Sequence, residues 1–335
     1  MKKYRKLVAV LLTFVLTLGV LTGCGSEKKN DTAEQTDAGE KKQTTQLNIA
    51  YQPVVGYLPV YLLKDSTQLQ DALAEAGYKD IEIKFTEFES GPPENEAFAT
   101  GSQDIGLMGN VPALVGISAG QKRSIIGIAY NGEKTEAVLV PVDSKIASVQ
   151  DLKGKKIGLV VGSMAQNFLS NLLEKNGLTI KDVELINLST GEQQQALATG
   201  QVDAIATWEP TITKVVAEGV GSILADGTGV FLAENPIVAR SEYVKNNPEI
   251  VRIFLQEYKK AAEELNANPG TYASKYESAL GLDANLIVEA LSNAKEPVDI
   301  TEADKEDLQG TVDFLYENEL ITTTFNVKDY IEDKF

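Results

Sequence analysis

"EAFATGSQDIGLMGN" (Glu96 to Asn110) and "QALATGQVDAIATWE" (Gln195 to Glu209) are one idiom written twice in a chain of 335 residues. Ala97/Ala196, Ala99/Ala198, Thr100/Thr199, Gly101/Gly200 and Asp104/Asp203 are identical at one constant offset. Each copy predicts a helix ended by glycine, a tight turn, a short strand and then a loop containing proline, Pro112 in the first and Pro210 in the second. Glycine suits the left-handed residue just past a helix. The echo predicts two structurally similar lobes, each presenting its post-strand loops to a crevice between them. In open α/β sheets a ligand lies outside the carboxyl ends of the strands, so two such sheets face to face make a clamp.

Working outward, strand and helix patterns alternate from Leu47. "LNIAY", "IEIKFTEF", "DIGLM" and "SIIGIAY" read as strands, with helical stretches such as Leu58 to Leu63 and Glu94 to Thr100 between them. A second series follows in "EAVLVP", "KKIGLVV", "VELINL" and "DAIAT". This alternation predicts an α/β protein with mainly parallel sheets flanked by helices. Beyond about Pro236 the pattern turns mostly helical, ending in "TEADKEDLQGTVDFLYENEL" behind a Thr301 N-cap.

The N-terminal residues bound the function. Lys2, Lys3, Arg5 and Lys6 precede an apolar core, Leu7 to Val20, and then Leu21-Thr22-Gly23-Cys24. The core is short for a bilayer span and a small-residue cleavage site follows, so residues 1–23 read as a secretion signal. The only cysteine of the chain, Cys24, falls directly after that site. The pattern resembles a bacterial lipoprotein signal, in which this cysteine carries the lipid and more than one acyl chain gives stable anchoring. Residues 24–46 are polar and read as a flexible tether, since they bury too little apolar surface to offset the entropy of ordering.

Net charge is −17, and the leader contributes only positive charge, so the remainder is more acidic still. No Lys/Arg cluster appears outside the leader, which disfavours nucleic-acid partners. There is no histidine. That excludes Ser-His-Asp and Cys-His catalysis, His-containing zinc sites and imidazole acid–base chemistry. The expectation is therefore a non-enzyme with no cofactor and no metal. A Ser–Lys or paired-carboxylate enzyme on the same scaffold is the competing class, and a sensor or adhesion lipoprotein is the third.

The ordered series "ESGPPENEAFATGSQDIGLMGNVPALVGISAG", "EAVLVPVDSKIASVQDLKGKKIGLVVGS", "ALATGQVDAIATWEP" and "ITEADKEDLQGTVDFLYENELI" resembles the substrate-binding lipoproteins of ABC importers, in the aliphatic sulfonate, taurine and nitrate branch. The resemblance runs from Leu47 to near the C-terminus. It implies a two-lobed periplasmic-binding-protein-like fold of type II, with extra C-terminal helices. Lobe 1 would comprise residues 47–133 and 236–335, and lobe 2 residues 134–235. It also implies a monomeric, extracytoplasmic receptor that passes a small oxyanion, such as an aliphatic sulfonate or taurine, to a permease. Nitrate and a neutral or heterocyclic solute, such as a thiamine-pyrimidine precursor, are the alternatives.

Candidate ligand contacts follow from helix starts and post-strand loops. In "KKIGLVVGSMAQNFLSNLLEKNG" a strand stops on Gly-Ser and an amphipathic helix follows, which aims free backbone N–H groups at one point. Ser163 and Gln166 form an S-x-x-Q capping box, so Ser163 is first a helix cap, and secondly an anion contact together with the N–H of Met164. As a nucleophile Ser163 is excluded by its context, which is not G-x-S-x-G and offers no histidine. Gly91-Pro92-Pro93 opens another helix, because proline at the first turn needs no N–H. Tyr51 and Gln52 end the first strand, and Asn110 lies between a strand and a helix on the repeated idiom. Trp208, the only tryptophan, sits where its ring can wall a pocket. Glu209 is either structural or a partner for a ligand amine, and Glu136, near the inferred crossover, shares that ambiguity.

Overall fold

Asp104 and Asp203, the two copies of the repeated aspartate, hold two different sheets by the same pair of bonds. Asp104 Oδ2 accepts from the Asn48 N–H at 2.9 Å, and the Asp104 N–H donates to Asn48 O at 2.9 Å. Asp203 Oδ2 accepts from the Lys156 N–H at 2.8 Å, and the Asp203 N–H donates to Lys156 O at 2.8 Å. Each copy of the idiom is thereby fastened to the parallel neighbouring strand of its own sheet. The computed structural model describes residues 45–335. The leader, Cys24 and nearly all of the tether fall outside the described residues.

The strands are β1 (Gln46–Tyr51), β2 (Glu82–Glu87), β3 (Ile105–Leu107), β4 (Arg123–Gly132), β5 (Glu136–Pro141), β6 (Lys156–Leu159), β7 (Glu184–Asn187), β8 (Ala204–Trp208), β9 (Gly221–Asp226) and β10 (Ala233–Arg240). They form two five-stranded sheets, ordered β2-β1-β3-β10-β4 and β7-β6-β8-β5-β9. In both, the first three strands pair in parallel and the fourth position is antiparallel to its two neighbours. Four strands of five therefore run the same way, the mainly parallel arrangement that the alternating pattern predicts.

The antiparallel strands are also where the chain changes sheets. β5 follows β4 after three residues but belongs to the second sheet, and β10 returns to the first. The fold is two-lobed, with two strand-to-strand connections between the lobes.

β9 and β10 are absent from the strands read in the sequence, which turned helical too early, at Pro236. "AENPIVAR" opens with Ala, Glu, Asn and Pro, all poor strand formers. Its place between β3 and β4 overrides that preference, and the register shifts between Asn235 and Pro236 where the proline enters. β9 is an edge strand with Ser222 and Ile223 exposed, so its alternation is too weak to read.

The predicted glycine stops, the Thr301 cap and the amphipathic stripe of the Met164–Lys175 helix hold. Gly101 and Gly200 take φ of 74° and 71° just past their helices. Thr301 Oγ1 accepts from the Asp304 N–H at 3.2 Å while Asp304 Oδ2 accepts from the Thr301 N–H at 2.7 Å, a reciprocal cap for the Glu302–Glu317 helix. The Met164–Lys175 helix buries its stripe Phe168, Leu169, Leu172 and Leu173 against the second sheet. Among the described residues no helix is long and apolar enough to cross a membrane.

Candidate functional site

Three helices begin directly after strands or their loops and start at one place: Gly91–Ala99, Asn110–Ser118 and Met164–Lys175. Their N-cap residues, Ser90, Gly109 and Ser163, all have extended backbone, and none caps its helix through a side chain. The first N–H groups of a helix have no carbonyl partner within it, and the helix dipole makes this end positive. Gly91, Gly109, Ser163 and Met164 line a single void of about 320 Å³, measured with its opening to solvent. Two of these contacts are close. A Cβ on Gly91 would lie 2.4 Å from Pro112 Cγ, and one on Gly109 would lie 3.4 Å from Met164 Cβ. The second contact joins the first lobe to the second.

Ser163 stands at the N-cap as its spacing predicts, but the capping box is not made. Its hydroxyl donates to Val160 O at 2.6 Å instead of accepting from the helix. Gln166 Oε1 accepts from the Gly162 N–H at 2.8 Å. Gly162, at φ 80°, turns the chain so that the glutamine reaches one residue too early for a reciprocal pair. Uncapped, this helix start remains available to a solute.

Gln52 lines the same void and is held from behind. Its Nε2 donates to Glu94 Oε2 at 2.8 Å and to Leu107 O at 3.5 Å, which leaves its amide oxygen for the cleft. Glu94 is fully buried, and burial pushes its carboxyl up to about 8 despite the bond from Gln52 and the nearby Arg123 charge. A Cβ on Gly106 would lie 2.5 Å from Glu94 Oε1, so only glycine on β3 leaves room for this acid. Arg123 is itself buried, lies over the Phe98 ring at 4.9 Å, and is lowered to about 10 by desolvation.

The opposite wall comes from the second lobe and the crossing segments. Glu136, the first residue of β5, is fully buried, and neither of its carboxyl oxygens has a hydrogen-bond partner. Burial, reinforced by the Glu209 charge, raises its pKa well above the ordinary carboxylate range. Trp208 lines the void beside it and also a second pocket with Pro53, Val54 and Lys214. Tyr57 and Tyr130 meet edge to face at 5.1 Å. The Tyr57 hydroxyl donates to Asn235 Oδ1 at 2.9 Å, tying the loop after β1 to β10.

Of the sequence candidates, Gln52, Gly91, Ser163, Met164 and Trp208 are brought together around this void. Tyr51, Pro92, Asn110 and Glu209 are not among its lining residues. The Tyr51 hydroxyl accepts from Lys64 Nζ at 2.9 Å, and its ring packs on Tyr61. Pro92 comes near the second lobe at Gly162 instead, 3.9 Å from where a Cβ would stand there. Asn110 Nδ2 donates to Thr311 Oγ1 at 3.2 Å, so its amide is turned towards the C-terminal helix. Both carboxyl oxygens of Glu209 accept from Thr213, at 3.1 Å and 2.9 Å, which makes it a helix cap. Val54, Tyr57, Gly109, Pro112, Tyr130 and Asn235 also line the void without having been singled out. Tyr130 and Asn235 could have been found from the crossovers they adjoin. Tyr57 carries no such signal. Among the described residues no group of three or more His, Cys, Asp or Glu could hold a metal ion.

Residues 75–271 match the NMT1/THI5 like family. The "Putative aliphatic sulfonates-binding protein" of Bacillus subtilis (strain 168) is 30% identical over 97% of this chain and 95% of its own length. The alkanesulfonate-binding protein SsuA from Xanthomonas axonopodis pv. citri, solved bound to MOPS, superposes with a TM-score of 0.78 at 27% identity, covering 87% of this chain and 99% of that one. The desulfurization enzyme DSZB superposes with a TM-score of 0.64 at 18% identity, covering 86% and 96%, a likeness of fold alone.

Proposed function

The chain belongs to the NMT1/THI5 like family, and on that premise we propose that it is the extracytoplasmic solute receptor of an ABC importer, capturing a small oxyanion, above all an aliphatic sulfonate, between its lobes. The observation that carries this reading is the meeting of three uncapped helix starts at one void. Such N-termini receive anions without a basic side chain, and no lysine or arginine lines the void. The acidic net charge is a weak objection, because exposed charges are screened beyond roughly 8 Å at physiological salt while helix N–H groups touch the ligand. Capture rather than turnover fits a chain without histidine whose cleft serine donates to a backbone carbonyl.

The solute would bridge residues 47–133 and 236–335 on one side and 134–235 on the other. Contacts on both sides would shift the lobes towards the shut state that a permease reads. The monomer would be held at the membrane by lipid on Cys24, and a Cys24→Ala variant would then leave the membrane fraction.

A melting screen and calorimetry with aliphatic sulfonates, nitrate and thiamine-pyrimidine precursors test the ligand class. Sulfonates should raise the melting temperature by mass action. Sulfonates that give neither heat nor a thermal shift, beside a pyrimidine that gives both, would transfer the assignment to the heterocyclic alternative.

A further inference from the structure

Glu136 is the only acid among the residues lining the void. It is fully buried at the start of β5, and neither carboxyl oxygen has a hydrogen-bond partner. The titratable groups beside it are Glu209, from the turn after β8, Tyr57, from the segment after β1, and Tyr130, from β4. Glu289, from the Ala284–Leu291 helix, raises Glu209 in turn. None of these carries positive charge, and no lysine or arginine lines the void. A carboxylate here would stand without a counter-charge, which burial penalises heavily. A solute oxyanion at the helix starts of Gly91, Gly109 and Ser163 would add a second negative charge to the same space. Both conflicts end when Glu136 takes a proton. Its O–H then faces an acceptor, and an O–H donated to an ionised oxygen is a strong, charge-assisted bond. The Ser163 hydroxyl does not fill that role, because it is spent on Val160 O.

We propose that Glu136 receives the solute as a neutral carboxylic acid, donating its O–H to the oxyanion, so that the receptor takes up one proton from water with each solute it captures. This rests on the reading of the cleft as an oxyanion receptor and adds a condition to it: affinity is set by pH as well as by the solute. With the lobes apart, water reaches Glu136 and its ordinary value of 4.5 applies. With the lobes shut, burial first and the Glu209 charge second hold the proton well above that value. The bound form therefore carries one more proton than the free form at neutral pH. Capture is strongest below about pH 4.5 and weakens as pH climbs, by up to about tenfold per pH unit, the limit for one linked proton.

Calorimetry on the full-length protein with ethanesulfonate and with nitrate, between about pH 5 and about pH 9, tests this. Both probes stay ionised throughout, so any proton taken up belongs to the protein. Repeating each titration in two buffers of different ionisation enthalpy counts that proton. The wild type should take up close to one proton near neutral pH and lose affinity as pH rises. Glu136→Gln puts an N–H donor that does not titrate in the same place. Its uptake should vanish, its affinity should be flat in pH, and at about pH 9 it should outbind the wild type by about tenfold or more. Affinity independent of pH without uptake would overturn the proposal, as would uptake that survives Glu136→Gln. Affinity that rises with pH would overturn it too, as the mark of an ionised Glu136 serving a cation. Should the variant fail to fold, the wild-type uptake and slope decide. If ethanesulfonate gives no heat at any pH while nitrate binds with uptake, the sulfonate assignment falls and the proton coupling stands. If ethanesulfonate binds without uptake, the reverse holds. If neither anion binds, both fall.

Discussion

Glu136 and Trp208 are register partners across the antiparallel β5–β8 pair. Residues directly opposite in such a pair leave the sheet on the same face, and both of these side chains line the cleft. The relationship places a buried acid and a large amphipathic ring side by side at the point where the chain enters the second lobe. Trp208 also borders a second pocket, with Pro53, Val54 and Lys214, so its ring stands between the two.

Because Trp208 is the only tryptophan of the chain, its emission reports on the cleft alone. Titration with a bound sulfonate should shift or quench that emission in a saturable way. Trp208→Ala should weaken binding by about tenfold or more through loss of ring contact. Emission indifferent to a ligand that calorimetry detects would place the ligand elsewhere.

Gly91→Ala should disturb the first helix start. The added carbon would meet Pro112 Cγ at 2.4 Å and Pro112 Cβ at 2.8 Å, and a proline ring has little room to give way. Overpacking of this kind costs about 1–3 kcal/mol. Chemical denaturation should register that loss, and ligand affinity should fall with it as the helix start is displaced. A variant as stable and as tight-binding as wild type would contradict the close approach.

Buried acids set the pH dependence of stability. Glu94 rises from its ordinary 4.5 to about 8, chiefly by burial. Its proton is held more tightly in the folded state, so its contribution is fully present below about pH 4.5 and is lost as pH climbs through about 8. Glu209 and Glu296, each raised to about 7 by burial, act in the same direction. Glu302, held down to about 2 by Lys305 and Lys328, acts only below this window. Melting temperature should therefore fall between about pH 5 and pH 8, and Glu94→Gln should flatten the fall. A wild-type melting temperature that climbs across this range would refute the account.

The paired aspartates should show a graded loss. Asp203→Ala removes the acceptor of the Lys156 N–H and should cost about 1–2 kcal/mol. Asp104→Ala removes the acceptor for Asn48 and also strands Arg240, whose Nη2 lies 2.6 Å from Asp104 Oδ1, so it should cost more. Thermal denaturation of the two single variants ranks them, and the reverse order would show that the Arg240 pair adds nothing.

The repeated idiom was legible because glycine after a helix and aspartate before a strand answer local needs. Gly101 and Gly200 take the predicted left-handed turn, and Asp104 and Asp203 make the same strand-start bonds. Helix starts at Gly91, Asn110 and Met164 were equally local, and they led to Gly91, Ser163 and Met164 around the void. Orientation was not. Asn110 follows its strand as predicted, yet its amide faces Thr311, far along the sequence. Ser163 has the right spacing for a capping box, and a glycine just before it redirects both partners.

The sequence by itself determined two α/β halves, the helix starts aimed between them and the exclusion of histidine chemistry, since periodicity, turn residues and composition act over a few neighbouring residues. Only the tertiary structure decided that β10 is a strand, that Tyr57, Tyr130 and Asn235 reach the cleft, and that Glu136 lies there without a partner. Those outcomes depend on which segments cross between the sheets and what packs against them. Burial and pairing at such distances are properties of the assembled lobes, and no window of the chain carries them.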